Sequence, residues 1–187
     1  MARPLNPEKK HAILKATIHL IALEGMATST SKIAKQAGVS EGTIFTYFAT
    51  KNTLLNEVYL EIKQQLSTIF SAISNESSLK EQVYKIWKSY ILWGLTHQDE
   101  YQVLATLSLS PLITQEIKTL GGHNFCDIST VLEEVISQGN LSKYSLEYVG
   151  ALMVAMANTT IQYISIKNKD QSDLIDDAFH AFWLAIS

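Results

Sequence analysis

The sequence predicts an all-α protein: an N-terminal three-helix helix-turn-helix module followed by a larger helical domain. Three observations predict it. Apolar residues recur at spacings of three and four along most of the chain, no stretch alternates polar and apolar as a half-buried strand does, and the charge changes sign near residue 51. Residues 1–51 hold seven basic side chains (Arg3, Lys9, Lys10, Lys15, Lys32, Lys35, Lys51) and three acidic ones (Glu8, Glu24, Glu41), a net of +4. The remainder holds eight basic and fifteen acidic residues, a net of -7, within a chain of net charge -3. A polyanion would therefore approach the N-terminal end.

The first helix is announced by Asn6 as N-cap and Pro7 at the first helical position, with Gly25 as a left-handed stop after Glu24. Ile13, Leu14, Thr17, Ile18, Ile21 and Ala22 form its apolar face. Two short helices follow, Ser29 to Ala37 and Ser40 to Tyr47, separated by Gly38-Val39. Thr28 or Ser29 can accept the free amides of the first and Ser40 those of the second, and Gly38 permits the positive φ of a tight corner. Ile33, Ala34, Val39, Ile44 and Phe48 are spaced to point inwards, so the three helices share a miniature core.

A long linking helix is expected from about residue 50 to 74. Ser78-Leu-Lys-Glu81 reads as a capping box opening a helix to about Thr96, rich in aromatic residues. Gln98 to Leu107 and Pro111 to Leu120 read as two short helices, the second capped by Ser110, with Gly121-Gly122 as a turn after it. Asn124 to Gln138, ending at Gly139, then Ser145 to Lys167 and Ser172 to Ala185 complete the chain. The expected division is a three-helix helix-turn-helix module over 1–51 and a larger helical domain over 52–187.

Composition bounds the setting. With 187 residues, 47% of them hydrophobic and 18% charged, the chain can bury a sizeable core, and disorder is not the expectation for any long stretch. The single Cys126 cannot form an internal disulfide and fits a reducing compartment. The longest apolar run, Val149 to Ala157, is nine residues, against the ~20 that span a bilayer. Met1-Ala-Arg-Pro-Leu-Asn6 lacks the apolar core of a signal peptide. A cytoplasmic protein without membrane association is expected.

At Ile33-Ala-Lys-Gln-Ala-Gly-Val-Ser-Glu-Gly-Thr-Ile-Phe-Thr-Tyr-Phe-Ala-Thr-Lys51 the sequence closely resembles the DNA-binding signature of the tetracycline-repressor (TetR) family. The resemblance reaches back through Ile13-Leu14, Glu24-Gly25 and Thr28-Ser29 and forward to Leu54-Leu55. It implies that Ser40 to Tyr47 is the recognition helix, lying in the major groove of double-stranded DNA. Thr28, Ser29 and Ser40 sit where hydroxyls and exposed amides bind phosphate, and Gly42 lets the backbone approach the duplex. Thr43, Tyr47 and Lys51 match positions that touch the DNA backbone or base edges. A lysine at a helix start opposes the dipole, so a phosphate partner would explain Lys51. Phe45 and Thr46 are the expected readers of sequence.

The sequence departs from the commonest family pattern in places. Glu41 replaces a frequent lysine; it suits the helix dipole but repels phosphate, unless it accepts a hydrogen bond from cytosine N4, and Thr30 stands where an aliphatic residue is common. Phe45 lacks the usual tyrosine hydroxyl, and Thr46 is neither histidine nor arginine, so Arg3, Lys9 and Lys10 are expected to add affinity as an N-terminal arm.

One helix-turn-helix reads too few base pairs, so two subunits on the half-sites of a palindromic operator are expected. The resemblance implies a homodimer through the last two helices, where Gly150, Ala151, Ala155 and Ala157 permit close approach and Phe179, Phe182, Trp183 and Ile186 offer bulk; the same residues also suit a monomer core. Trp87, Tyr90, Ile91, Tyr101, Leu104, Phe125, Ile128, Met153 and Met156 are candidates for lining a cavity for a small apolar or aromatic effector, or for filling a core. His123 and Cys126 lack the further ligands or the base and oxyanion donors that a metal or thiol-catalytic site needs, so neither metal, cofactor nor enzymatic activity is expected. The resulting expectation is a repressor released by its effector. The alternative is a helical ligand-binding or interaction protein with a vestigial DNA motif.

Overall fold

The computed structural model describes residues 5–71, 73, 78–167 and 172–187. Among them the ordered elements are helices: α1 (Pro7–Glu24), α2 (Thr30–Gln36), α3 (Glu41–Tyr47), α4 (Lys51–Ser71), α5 (Leu79–Thr96), α6 (Gln98–Leu109), α7 (Gln115–Gly122), a 3-10 turn (His123–Phe125), α8 (Cys126–Gln138), α9 (Leu146–Lys167) and α10 (Ser172–Ile186). Arg3 and the predicted end of α4 at residue 74 lie outside the described residues.

Local chemistry explains where the helices start and stop. The Asn6 side chain accepts from the amides of Glu8 and Lys9 at 2.8 and 3.4 Å, and Gly25 ends α1 at φ 79°. Ser78 and Glu81 cap α5 reciprocally: the Ser78 amide donates to Glu81 Oε2 at 3.0 Å, and the Glu81 amide to Ser78 Oγ at 3.3 Å.

Three boundaries differ from expectation. Residues 110–113 form a turn instead of opening a helix, because Ser110 Oγ accepts from the Leu112 amide at 3.2 Å and its carbonyl from the Ile113 amide at 3.3 Å. Thr114 then caps α7 through the Ile117 amide at 3.3 Å. Gly121 and Gly122 are not a turn but the last residues of α7, where Gly121 is buried and a Cβ would meet Tyr59 Cε1 at 3.0 Å. The next helix starts at Cys126, after the 3-10 turn, rather than at Asn124.

The helices group into two compact units. The first holds the described residues of 1–64 together with 97–122, the second those of 65–96 together with 123–187, and α4 runs from one into the other along the chain. In the first unit α1 packs on α2 and on α6, and α2 on α3. The second unit is a bundle of α5, α8, α9 and α10. Its centre is Trp87, which stacks on Phe182 at 5.7 Å between ring centroids and donates its indole N–H to the Ile175 carbonyl at 3.1 Å.

By length and composition α9 is apolar enough to cross a membrane, which the nine-residue run does not reveal; 33% of that span is buried in the bundle. Val149, Met153, Ala157, Thr160, Ile161 and Ile164 make up its buried stripe. Ala157, Phe179, Phe182 and Ile186, predicted for a subunit contact, are instead buried within their own chain. Exposed on α9 and α10 are Ala151, Val154, Ala155, Tyr163, Ile166 and Leu184.

Candidate nucleic-acid interface

The first unit builds a rigid support for α3 from wholly buried side chains. Ile13, Ile33, Leu54 and Val58 are 0% exposed, and Ile44, Phe48 and Leu55 are 1% exposed. Each contributes about 1.5–3 kcal/mol of burial, enough to fix the helices relative to one another. Gly38 turns the corner between α2 and α3 at φ 67°. Ser29 accepts from the Lys32 amide at 3.3 Å and Ser40 from the Thr43 amide at 3.2 Å, so both predicted caps form.

The outer face of this unit carries Ser29, Ser40, Glu41, Gly42, Phe45 and Thr46, all exposed, with Thr43 half-buried beside them. Phe45 is 47% exposed, a large apolar ring held in water by the helix that carries it. A Cβ at Gly42 would meet nothing within 4 Å, so the chain's own packing does not require glycine there. The Thr46 hydroxyl donates to the Gly42 carbonyl at 3.0 Å, which spends its proton and leaves its lone pairs able to accept. Ser40 Oγ lies 2.8 Å from Thr43 Oγ1.

Other predicted contact groups are engaged within the chain. Thr28 is 3% exposed and its hydroxyl donates to Glu24 at 3.4 Å, so it is withdrawn from the face where it was expected. Lys51 donates to the carbonyls of Met26 and Thr28 at 2.7 and 2.6 Å; the loop ahead of α2, rather than a phosphate, accounts for a lysine at this helix start. The Tyr47 hydroxyl accepts from the Asn6 amide at 2.9 Å and donates to the Asn6 carbonyl at 3.2 Å, tying α3 to the start of α1.

Two of the basic residues are also paired. Lys10 meets Glu57 at 2.7 Å, and Lys32 meets Glu24 at 2.8 Å, holding the Glu24 carboxyl below its ordinary range.

A profile described as "Bacterial regulatory proteins, tetR family" matches residues 13–58, the segment that builds this core and face. A TetR-family transcription regulator from Shewanella sp. PV-4, of known crystal structure, is 26% identical, with 95% of this chain and 97% of that one superimposed at a TM-score of 0.84. The chain belongs to the TetR family. Another family structure, from Marinobacter aquaeolei VT8, shares the fold at a TM-score of 0.86 and 23% identity, over 96% of this chain and 95% of that one. The HTH-type transcriptional regulator BetI of Vibrio parahaemolyticus is 46% identical over 61 residues, 32% of this chain and 31% of BetI, so that likeness spans about a third of the curated relative.

In this TetR-family chain two features of the first unit escape the sequence. Thr30 Oγ1 donates to Glu41 Oε1 at 2.5 Å, joining the first residues of α2 and α3. Separately, α6 is tied to α1: His19 Nδ1 lies 2.8 Å from Asp99 Oδ2, and the Gln102 amide donates to the Ala22 carbonyl at 3.2 Å. No periodicity signals a contact across 80 residues. Beside the His19–Asp99 pair opens a cleft of about 470 Å³ bordered by Lys15, Gln36 and Glu100 among others, and lined by none of the nine effector candidates.

Those nine fall in both units. Tyr101 and Leu104 belong to the first; Trp87, Tyr90, Ile91, Phe125, Ile128, Met153 and Met156 belong to the second. Within the second, Trp87, Ile91 and Met153 are buried. Tyr90 donates to Asn158 Oδ1 at 3.0 Å, and Phe125 meets Phe70 edge-on at 5.8 Å. Cys126 is exposed and its thiol donates to the His123 carbonyl at 2.9 Å, the ordinary fate of a sulfhydryl at a helix start.

Proposed function

We propose that this TetR-family chain is a cytoplasmic, homodimeric DNA-binding transcriptional regulator, a repressor that holds a palindromic operator and is released by a small apolar or aromatic effector. The observation that carries the reading is the exposed face of Ser29, Ser40, Gly42, Phe45 and Thr46 on a wholly buried three-helix core. Hydroxyl and amide donors there suit phosphate, and an exposed phenyl ring and the methyl of an exposed threonine suit thymine methyls in the major groove. Tyr47 and Lys51 support this face from behind through their bonds to Asn6, Met26 and Thr28. The free face of Gly42 fits a close approach of the duplex.

A second copy is needed to read a second half-site about 34 Å away. The exposed Ala151, Val154 and Ala155 of α9 and Leu184 of α10 suit a helix-to-helix contact between copies, which would cover part of the apolar surface of α9. An effector among Trp87, Tyr90 and Met153 would act through α4, the helix common to both units. DNA and effector must then weaken each other's binding by the same factor.

A second reading keeps the fold and drops the DNA grip. It is favoured by the internal engagement of Lys10, Lys32 and Lys51, which leaves fewer cations for phosphate. Selection of duplexes from a random pool, scored for an inverted repeat, separates the two: the regulator enriches a palindrome and binds it as two chains per duplex, while a vestigial motif enriches nothing.

A further inference from the structure

Glu41 is an oddity on a face meant for a polyanion. Its carboxylate is exposed, and among the described residues its partner is a neutral hydroxyl, Thr30 Oγ1 at 2.5 Å, while the ammonium groups of Lys32 and Lys51 are bonded to Glu24 and to main-chain carbonyls. A free surface glutamate samples many rotamers. This one is tethered through Oε1 to a donor on a different helix, Thr30 Oγ1, which restricts its rotamers and leaves Oε2 able to accept from another group. Its structural worth is that of one exposed charge-assisted hydrogen bond and of an acid in the first turn of α3, and neither of these uses Oε2. What remains is an acceptor with a full negative charge.

Phosphates would repel that charge, and so would the acceptor atoms that guanine and thymine show in the major groove. The donors available there are the exocyclic amines of cytosine and adenine. Adenine N6 stands between two acceptors, its own N7 and the paired thymine O4, whereas cytosine N4 has one acceptor neighbour, the guanine O6, and a C5–H on its other side. A carboxylate is therefore repelled less at cytosine.

We propose that Thr30 and Glu41 form a built-in cytosine reader, Glu41 accepting from cytosine N4 and Thr30 acting as its positioning residue. The inference rests on the DNA-binding reading above and adds to it one specified base in each half-site.

The test is selection from a random duplex pool with the full chain and with Glu41→Gln, Thr30→Val and Thr30→Ser variants. The wild-type chain should enrich a palindrome with cytosine at one position of each half-site. Glu41→Gln should lose that preference or move it to adenine, which a carboxamide can bind through N6 and N7, with discrimination at that position falling about tenfold. Thr30→Val should relax the same position alone, and Thr30→Ser, which restores the hydroxyl, should recover it. A palindrome selected identically by the wild-type chain and Glu41→Gln overturns the cytosine reader and leaves the regulator reading standing. Failure of the wild-type chain to enrich any duplex overturns both.

Discussion

The Lys51 ammonium lies 2.6 Å from the Thr28 carbonyl oxygen and 2.7 Å from that of Met26. A lysine that opens a helix therefore closes the preceding loop, offsetting its unfavourable place in the dipole with two charge-assisted hydrogen bonds. Lys51→Met should lower stability by about 1–2 kcal/mol, because two carbonyls lose their donor. The salt slope of DNA binding should change by less than about one unit, since no phosphate contact goes with it. Urea unfolding and a salt titration of binding check the two halves separately.

The Tyr47 hydroxyl, bonded to both main-chain groups of Asn6, joins α3 to the start of α1. Tyr47→Phe should free that start, cost about 1 kcal/mol and speed hydrogen exchange at the amides of Glu8 and Lys9, which the Asn6 side chain caps. Exchange confined to other parts of the chain would contradict this role.

How much of this was legible in advance depended on the range of the interaction. Asn6, Gly25, Ser29, Gly38, Ser40 and the Ser78–Glu81 box act on neighbours a few residues away, and their elements appear where the spacing put them. Ser110 misled because its side chain serves a turn as readily as a helix start, and the choice fell to Thr114. Phe179, Phe182 and Ile186 look alike as core or as subunit contact until their neighbour Trp87 is known. The candidate DNA face was legible as a set of residues, but the internal bonds of Thr28, Tyr47 and Lys51 span 4, 41 and 23 to 25 residues, and only the first distance lies within one helical turn.

Gly139 and the end of α10 meet too closely for a side chain. A Cβ at Gly139 would fall 1.8 Å from the Ile186 carbonyl oxygen, a main-chain atom that cannot rotate away. Gly139→Ala should cost about 1–3 kcal/mol by forcing the two segments apart. Gly122→Ala, where a Cβ meets nothing within 4 Å, should be neutral or slightly stabilising in a thermal melt.

Burial pulls the Lys63 ammonium down to about 8 from an ordinary 10.5. Between those values the unfolded chain binds more protons than the folded one, so this group makes stability rise with pH from about 8 upwards. Burial also raises the Tyr59 phenol above its ordinary 10.0, against the lowering effect of its hydrogen bond with Ser108, and this makes stability fall above that pH. Lys63→Met should therefore flatten the stability profile between about pH 8 and 10 relative to the wild-type chain. Urea midpoints at several pH values provide the comparison.

The claim that α3 and its flanking hydroxyls meet a sugar-phosphate backbone is tested most directly by the salt dependence of binding to the selected duplex. A dimer with several phosphate contacts on each half-site should lose roughly a thousandfold in affinity between about 50 and 200 mM salt, along a straight line in logarithmic coordinates. A chain that binds no duplex even at the lower salt, or binds one with a flat salt profile, would contradict the account.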